Sequence, residues 1–431
     1  MGTDRLSMAS GVSALLDPID AASQVADQLR ETLPGSIDLV IGFVTPPFTQ
    51  RMGMIADAIR DRLGPNHLLL VSAQGVMGND SEIDSVPGIS LMGARLPGVE
   101  IHPYTLDATW GSMDPAQRAA KISETIGASE TMAGTLFFAD PYSVPMVNLI
   151  PALSDCRVQY ADAHGHTKRI GTVIGGMASV GTEPGHNALF IDGHLRNYGA
   201  IGVTLSGNLQ IDTLVSQGCR PIGQPMVVTR ARGNLVLELG GKPAIEALRE
   251  TLQDLGDSDK ELLEGGLLIG RVINEQKSRF GRGDFLIRNI MGGDEQSGAI
   301  AIADLVHVGQ TIQPHLHDAT TASEDLSLLL DGQRLYDRPS GALVVSCTGR
   351  TQSFYGRPGH DARAIRHAFD RPVEGARLAK AGRELNAPDQ GIPLSGFFAD
   401  GQIGPIGETI FQHGHTLVAA LFREPEQMDL Q

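Results

Sequence analysis

Cysteine is scarce. The chain of 431 residues holds three, Cys156, Cys219 and Cys347, an odd number set far apart. That spacing excludes a disulfide framework and fits reduced thiols in a cytosolic protein. Basic residues are also short: 34 lysines and arginines stand against 50 aspartates and glutamates, a net charge of −16, with no basic cluster. Nucleic acid is therefore not an expected partner. No apolar run is long enough to span a bilayer, and the N-terminus lacks a basic-then-apolar leader. The chain starts Met-Gly, but Leu6 stands where a myristoylation signal needs Ser or Thr. No membrane partner is expected, and the protein reads as soluble and cytoplasmic. Nucleotide chemistry lacks its signatures too. No Lys-Ser or Lys-Thr follows a glycine loop, and no G-x-G-x-x-G opens a helix after a strand.

Glycine, in contrast, is abundant: 52 of 431 residues, against a typical share of about 7%. The glycines are scattered and sit mostly at the ends of apolar runs, which implies turns and close backbone approaches in a sheet-rich fold. Hydrophobic residues make up 41% of the chain, enough for two or three domains, each with its own core.

Residues 1–13 read as disordered. Asp17-Pro18 is an N-cap and N1 pair, and Ile19, Ala22, Val25, Ala26, Leu29 and Leu33 form one helical face. Residues 38–44 read as a buried strand, 52–63 as a helix and 68–72 as a second strand, which runs into Gly75-Val76-Met77-Gly78. A third strand covers 89–96. The same order recurs near the C-terminus: strand 342–347, helix 362–369, strand 392–398, Gly401-x-x-Gly404, then strand 416–422. The middle offers a looser version, with strand 135–139, a segment around 144–153, residues 171–174 entering Gly175-Gly176, and 188–191 with 200–206 as a hairpin. Asp114-Pro115 opens a helix ended by Gly127, and Thr321-Ala322-Ser323-Glu324 reads as a capping box. This repetition implies an α/β (α+β) fold of duplicated lobes, their mixed β-sheets packed face to face with helices outside. Gly240-Gly241-Lys242-Pro243 marks a lobe boundary.

Loops held by a rigid sheet are where binding usually sits. The turns after the buried strands therefore nominate a shared ligand-binding cleft of Ser72, Gly75, Gly78, Gly175, Gly176, Cys347, Arg350, Phe398, Gly401, Gln402 and His413. Bare glycine N–H groups there suit a carboxylate or phosphate. Cys347 and Arg350 stand at another strand end, where the guanidinium would favour the thiolate. As an acyl-transfer nucleophile Cys347 needs a base, and the sequence nominates only His413. The pairs His164-x-His166, His315-x-His317 and His413-x-His415 could chelate a metal if they lie on strands. No Cys or Glu stands near them at ligand spacing, so neither a metal nor a cofactor is expected.

Several of these stretches together resemble the FIST family. They are Ser72–Gly78 (SAQGVMG), Gly175-Gly176, Val215–Gly223 (VSQGCRPIG), Gly283–Asp294 (GDFLIRNIMGGD), Ser346–Arg350 (SCTGR), and Gly396–Pro405 with His413-Gly414-His415-Thr416. The resemblance implies a leading segment at 1–37, a FIST-N-like domain at 38–240 and a FIST-C-like domain at 241–424. It also implies an intracellular small-ligand sensor, which binds rather than catalyses and signals through a separate, unidentified protein. Gln402 departs from the family's usual Glu, which removes a negative charge. With Arg350 nearby, a small anionic or zwitterionic ligand is expected, an organic acid or an amino acid. Two other readings stay open: a thiol- or metal-assisted hydrolase of a small substrate, and a protein-interaction scaffold with a large exposed apolar patch.

Overall fold

The computed structural model describes residues 5–107, 110, 113–162, 164–370 and 391–425. The chain forms two compact units, one of residues up to 215, 328–412 and from 417 onward, the other of 216–327 and 413–416.

The first unit is built from three repeats of one pattern. The first repeat runs β1 (Ser7–Ser13), α1 (Pro18–Thr32), β2 (Leu39–Val44), α2 (Met52–Leu63), β3 (His67–Ser72), a hairpin β4 (Gly75–Gly78) and β5 (Ser81–Ile83), then β6 (Ile89–Arg95). The second runs β7 (Val99–Leu106), α3 (Pro115–Ile126), β8 (Met132–Ala139), α4 (Met146–Asp155), a small ribbon β9 (Gln159–Ala161) and β10 (Thr167–Arg169), β11 (Thr172–Met177), hairpin β12 (Leu189–Ile191) and β13 (His194–Arg196), then β14 (Ala200–Gly207). The third opens with β15 (Gln210–Gln217) and is interrupted by the second unit. That unit holds β16 (Cys219–Pro221), β17 (Met226–Arg232), β18 (Leu235–Leu239), β19 (Lys242–Pro243), α5 (Ala244–Gln253), α6 (Asp257–Leu263), β20 (Leu267–Val272), β21 (Phe285–Asp294), β22 (Ala299–Ile302) and β23 (Thr311–His317). The third repeat resumes with α7 (Ala319–Gln333), β24 (Gly341–Cys347), α8 (Gln352–Tyr355), α9 (His360–His367), β25 (Leu394–Ala399), hairpin β26 (Gln402–Ile406) and β27 (Thr409–His413), then β28 (Thr416–Arg423).

Each repeat gives its hairpin away. The three six-stranded sheets have the orders β1-β6-β2-β3-β12-β13, β7-β14-β8-β11-β26-β27 and β15-β28-β24-β25-β4-β5. At the centre of each lies one parallel pair, β2–β3, β8–β11 or β24–β25. A parallel pair needs a crossover, and α2, α4 and α9 lie on those connections. The hairpin after the second parallel strand joins the preceding sheet in cyclic order: the first repeat's joins the third sheet, the second's the first and the third's the second. The repeats are therefore interlocked rather than separate lobes. One core collects Ile41, Val71 and Met92 from the first sheet, Leu136, Ile174 and Val203 from the second, and Leu343, Val345 and Val418 from the third. The sheets face one another across it. Helices α1 and α2 pack outside the first sheet through Val25, Leu29, Ile55 and Ile59, and α3 and α4 outside the second through Ile122, Ile126, Leu149 and Leu153.

Local chemistry sets the helix starts. The Asp17 carboxylate accepts the Ile19 and Asp20 N–H groups with Pro18 at N1, and Asp114 does the same for α3, which ends at Gly127 with φ +67°. Three sequence expectations are corrected. Residues 7–13 form β1, paired residue for residue with β6, because their small alternating side chains suit a sheet edge. Segments 188–191 and 200–206 are not a hairpin: β12 pairs with β3, while β14 pairs with β8 in another sheet. Helix α7 is capped by Asp318, which accepts from Thr320 N–H and the Thr321 hydroxyl, so 321–324 lies inside the helix.

In the second unit the pairings of β23, β17, β18, β22, β21 and β20 close into an antiparallel ring. Val228, Val236, Ile269, Ile300 and Ile312 fill it together with Ala247 and Leu248 of α5.

Candidate functional site

Three phenylalanines gather in the middle of the first unit. Phe43 of β2 stacks on Phe397 of β25 with centroids 4.5 Å apart, and Phe138 of β8 meets both edge-on at 5.8 and 5.9 Å. Such pairs contribute about 0.5–1.5 kcal/mol each beyond their buried area. Two to four residues further along each chain, the parallel strands end and open onto a cavity of about 380 Å³. All six strand ends reach it. Pro46 follows β2, Gln74 follows β3, Tyr142 follows β8, Ser179 to Thr182 follow β11, Thr348 follows β24 and Asp400 follows β25. Carboxyl ends of parallel strands are where open α/β sheets bind their ligands. Here three sheets deliver such ends to one place.

The wall is held by hydrogen bonds between repeats. The Ser179 hydroxyl accepts the Gln74 N–H and donates to the Phe398 carbonyl. Asn187, buried, accepts the N–H groups of Val180 and Gly181 through Oδ1 and donates to Asp140 through Nδ2. The Ser72 hydroxyl accepts the Ala188 N–H at 2.9 Å and donates to Asn187 at 3.4 Å. Among the described residues the lining includes one carboxylate, Asp400, and no Lys, Arg or His. Desolvation raises the Asp400 carboxyl above the ordinary range. It also raises the Tyr142 phenol, with the charges of Asp400 and Asp140 adding to the effect.

The sequence-nominated residues lie mainly one shell behind this lining. Ser72 is buried and supports the 180–181 turn through Asn187. Gly75 and Gly78 lie in β4, paired with Phe398 and Ser395 of β25. Gly175 and Gly176 pair with Ile403 and Gln402 of β26, and a Cβ on Gly175 would come within 1.7 Å of the Phe137 carbonyl oxygen. These glycines permit close strand approach, and their backbone groups belong to sheet ladders. Phe398 is buried, and Gly401 takes φ +121° in the turn to β26. Gln402 is buried and donates from Nε2 to the Ala399 carbonyl at 3.0 Å. Cys347 is half-buried, its sulfur 3.5 Å from the Gly349 N–H. His413 is buried at the end of β27 and belongs to the second unit.

Arg350 is fully buried. Its Nε and Nη2 donate to Asp361 at 3.0 and 3.3 Å, and Asp361 is fully buried as well. Burial works against both charges, but the pairing overrides it, holding the guanidinium charged and the Asp361 carboxyl below its ordinary range. The structure thus brings the nominated turns together but commits Arg350 elsewhere. The lining residues Gln74, Ser179, Thr348 and Asp400 were passed over in the sequence. Their signal was legible: each is the polar residue directly after the small residue or cysteine that ends a strand run, as in Ser72-Ala73-Gln74 and Ala399-Asp400.

The histidine pairs disperse. His164 and His166 flank a turn near Asp162, His315 is buried, and His317 meets His415 edge-on at 4.9 Å. Among the described residues no group of three or more His, Cys, Asp or Glu is arranged to hold a metal ion. No helix among them is long and apolar enough to cross a membrane.

Comparison with known proteins returns relatives along the whole chain. An uncharacterized protein of Mycobacterium tuberculosis (strain H37Rv) is 33% identical over 416 residues, 96% of this chain and 98% of the relative. An uncharacterized protein of Mycobacterium bovis is 33% identical over 421 residues, 96% and 97% of the two chains. Among solved structures, a cyanuric acid hydrolase from A. caulinodans aligns over 98% of this chain and 100% of its own, but at 10% identity and a TM-score of 0.28, too low to carry over chemistry. The FIST N domain profile matches residues 38–242 and the FIST C domain profile matches 244–405, meeting at the β19–α5 junction inside the second unit. The chain belongs to the FIST family, with its N and C domains in tandem.

Proposed function

We propose that this chain is a non-enzymatic sensory protein of the cytoplasm that binds a small ligand in the cavity at the six strand ends and signals through a separate protein. The observation that carries this reading is the convergence of all six strand ends on one polar cavity of about 380 Å³. That volume lies at the small end of the range for metabolite sites. FIST membership supports a sensory role.

Of the two ligand classes raised by the sequence, the amino acid is favoured over the simple organic acid. Arg350, which argued for an anion, is committed to Asp361. Asp400 is a counter-ion for an ammonium group, while Gln74, Thr182 and Thr348 can donate to a carboxylate. A ligand with only a carboxylate would meet Asp400 with no lining cation to balance it. The test is a thermal-shift screen of amino acids, matched organic acids and matched amines, with mass spectrometry of small molecules released from freshly purified protein. Wild type should be stabilised by a zwitterion, and Asp400→Asn and Thr348→Ala should lose most of that shift. Equal shifts in wild type and both variants would remove the cavity from consideration.

A further inference from the structure

The hairpin that the first repeat gives to the third sheet carries a second, smaller constellation. Glu82, on β5, accepts the N–H groups of Asp361 at 3.0 Å and Ala362 at 3.1 Å through a single oxygen, Oε1. These are two of the donors that the first turn of α9 leaves without intrahelical partners. The other oxygen, Oε2, is sealed from solvent and has no hydrogen-bond partner among the described residues. The charge of Asp361 acts on the Glu82 carboxyl, and the buried Asp361 carboxylate is already bonded to Arg350 and, through Oδ1, to the His360 imidazole at 3.0 Å. The His360 ring stacks on Tyr355 of α8 at 3.6 Å, with the Arg350 guanidinium 5.7 Å from the Tyr355 ring centre. Asp84, beyond β5, adds further negative charge.

At its other end α9 is tied to the same hairpin by different chemistry. His367 Nε2 bonds Asp80 at 2.8 Å while Nδ1 bonds Asp370 at 2.6 Å. Arg366 lies 3.8 Å from Asp80, and Arg363 donates to the Asp80 carbonyl. The helix is thus pinned to the hairpin by charge pairs near Asp80. At its N-terminus it is held by a carboxyl group beside another carboxylate.

We propose that Glu82 is a proton-operated clasp between the β4–β5 hairpin and helix α9, closed when the carboxyl is neutral and loosened when it ionises. A neutral carboxyl keeps its carbonyl oxygen on both N–H groups and leaves no charge facing Asp361. An ionised one gains from the two N–H groups, but burial and the neighbouring Asp361 charge outweigh that gain, so the ionised state strains the contact. Burial, reinforced by Asp361, pushes the Glu82 carboxyl from 4.5 up to about 7, so the exchange falls within the range of cellular pH. The segment that the clasp holds begins at Thr348, which lines the cavity.

The sign is that of an acid raised on folding. Between about pH 4.5 and 7 the folded state binds the extra proton, so the clasp weakens as pH rises through that window and levels off above about pH 7, where the carboxyl is ionised in both states. The experiment is hydrogen–deuterium exchange of the full chain at about pH 6 and about pH 8, corrected for intrinsic exchange. Wild-type protection over His360–His367 should fall by roughly tenfold, the factor for one pH unit of ionisation. Glu82→Gln, which mimics the neutral acid, should stay protected at both pH values, and Glu82→Ala should be poorly protected at both. Identical pH profiles in wild type and Glu82→Gln would overturn the proposal and move any pH response to His367 and Asp80. A carboxyl-carbon NMR titration of wild type needs no variant. A Glu82 midpoint near 4.5 would overturn the clasp, and one near 7 supports it.

Discussion

The Ser179 hydroxyl donates to the Phe398 carbonyl at 2.6 Å while accepting the Gln74 N–H at 2.9 Å. One side chain from the second repeat thereby joins the first and the third at the cavity wall. Serine is the small residue that can both donate and accept there. Ser179→Ala removes the donor from the part-buried Phe398 carbonyl and leaves the exposed Gln74 N–H to water, and should cost about 1 kcal/mol. A lowered urea midpoint with unchanged slope checks this. A changed slope would mean that the repeats separate before the unit unfolds.

Arg350→Ala should act on folding rather than on ligand contact. It strands the fully buried Asp361 carboxylate, and breaking a buried pair from one side costs about 3–5 kcal/mol. The combined Arg350→Met and Asp361→Leu change removes both charges and should recover much of the loss. Thermal melts without ligand decide the matter. If Arg350→Ala melts like wild type but no longer responds to ligand, the guanidinium belongs to the binding site after all.

How much of this was legible follows from periodicity and its reach. Residues 39–44 and 68–71 are continuous apolar runs, as strands buried on both faces must be. Asp17-Pro18 and Asp114-Pro115 fix helix starts by local chemistry alone. The recurrence of strand, helix, strand and glycine turn at three places was also readable. The hairpin exchange was not, because β12 finds β3 across more than a hundred residues and nothing local specifies that partner. The same limit hid the site. Arg350 stands close to Cys347 in sequence and reads as a ligand-facing turn residue, yet it is completely buried and paired with Asp361.

Gly176 separates close approach from conformational freedom. Its φ is ordinary, but a Cβ there would meet Val345 Cγ1 at 2.6 Å, Ala399 Cβ at 2.9 Å and the Gly401 carbonyl oxygen at 3.0 Å. Gly176→Ala overpacks the central core and should destabilise by about 1–3 kcal/mol. Gly53 of α2 has nothing within 4 Å of the same added atom, so Gly53→Ala should stabilise by about 0.4–1 kcal/mol. Opposite shifts in melting temperature are expected, and shifts of the same sign would contradict the packing argument.

The last prediction concerns acid stability and the second unit. His315 is 2% exposed, its ring against Gly270 and edge-on to Phe285 at 4.8 Å, with Nδ1 bonded to the Gln313 carbonyl at 3.0 Å. Burial disfavours the imidazolium and lowers the group from 6.5 to about 4, although the Gln313 bond opposes the shift. The unfolded chain takes up a proton first, so this contribution is complete above about pH 6.5 and is lost as pH falls toward 4. It amounts to about 3 kcal/mol in all. Glu82 pulls the other way over much of the same range, gaining stability as pH falls from about 7 to 4.5, so a wild-type curve alone would mix the two. The difference between wild type and His315→Gln isolates the imidazole, because Glu82 is common to both. Urea unfolding followed by a probe in the second unit should show the variant gaining on wild type by about 3 kcal/mol between about pH 7 and pH 4. Parallel curves for the two proteins would mean that His315 takes up its proton without cost, and that the buried ring has a partner for its charge.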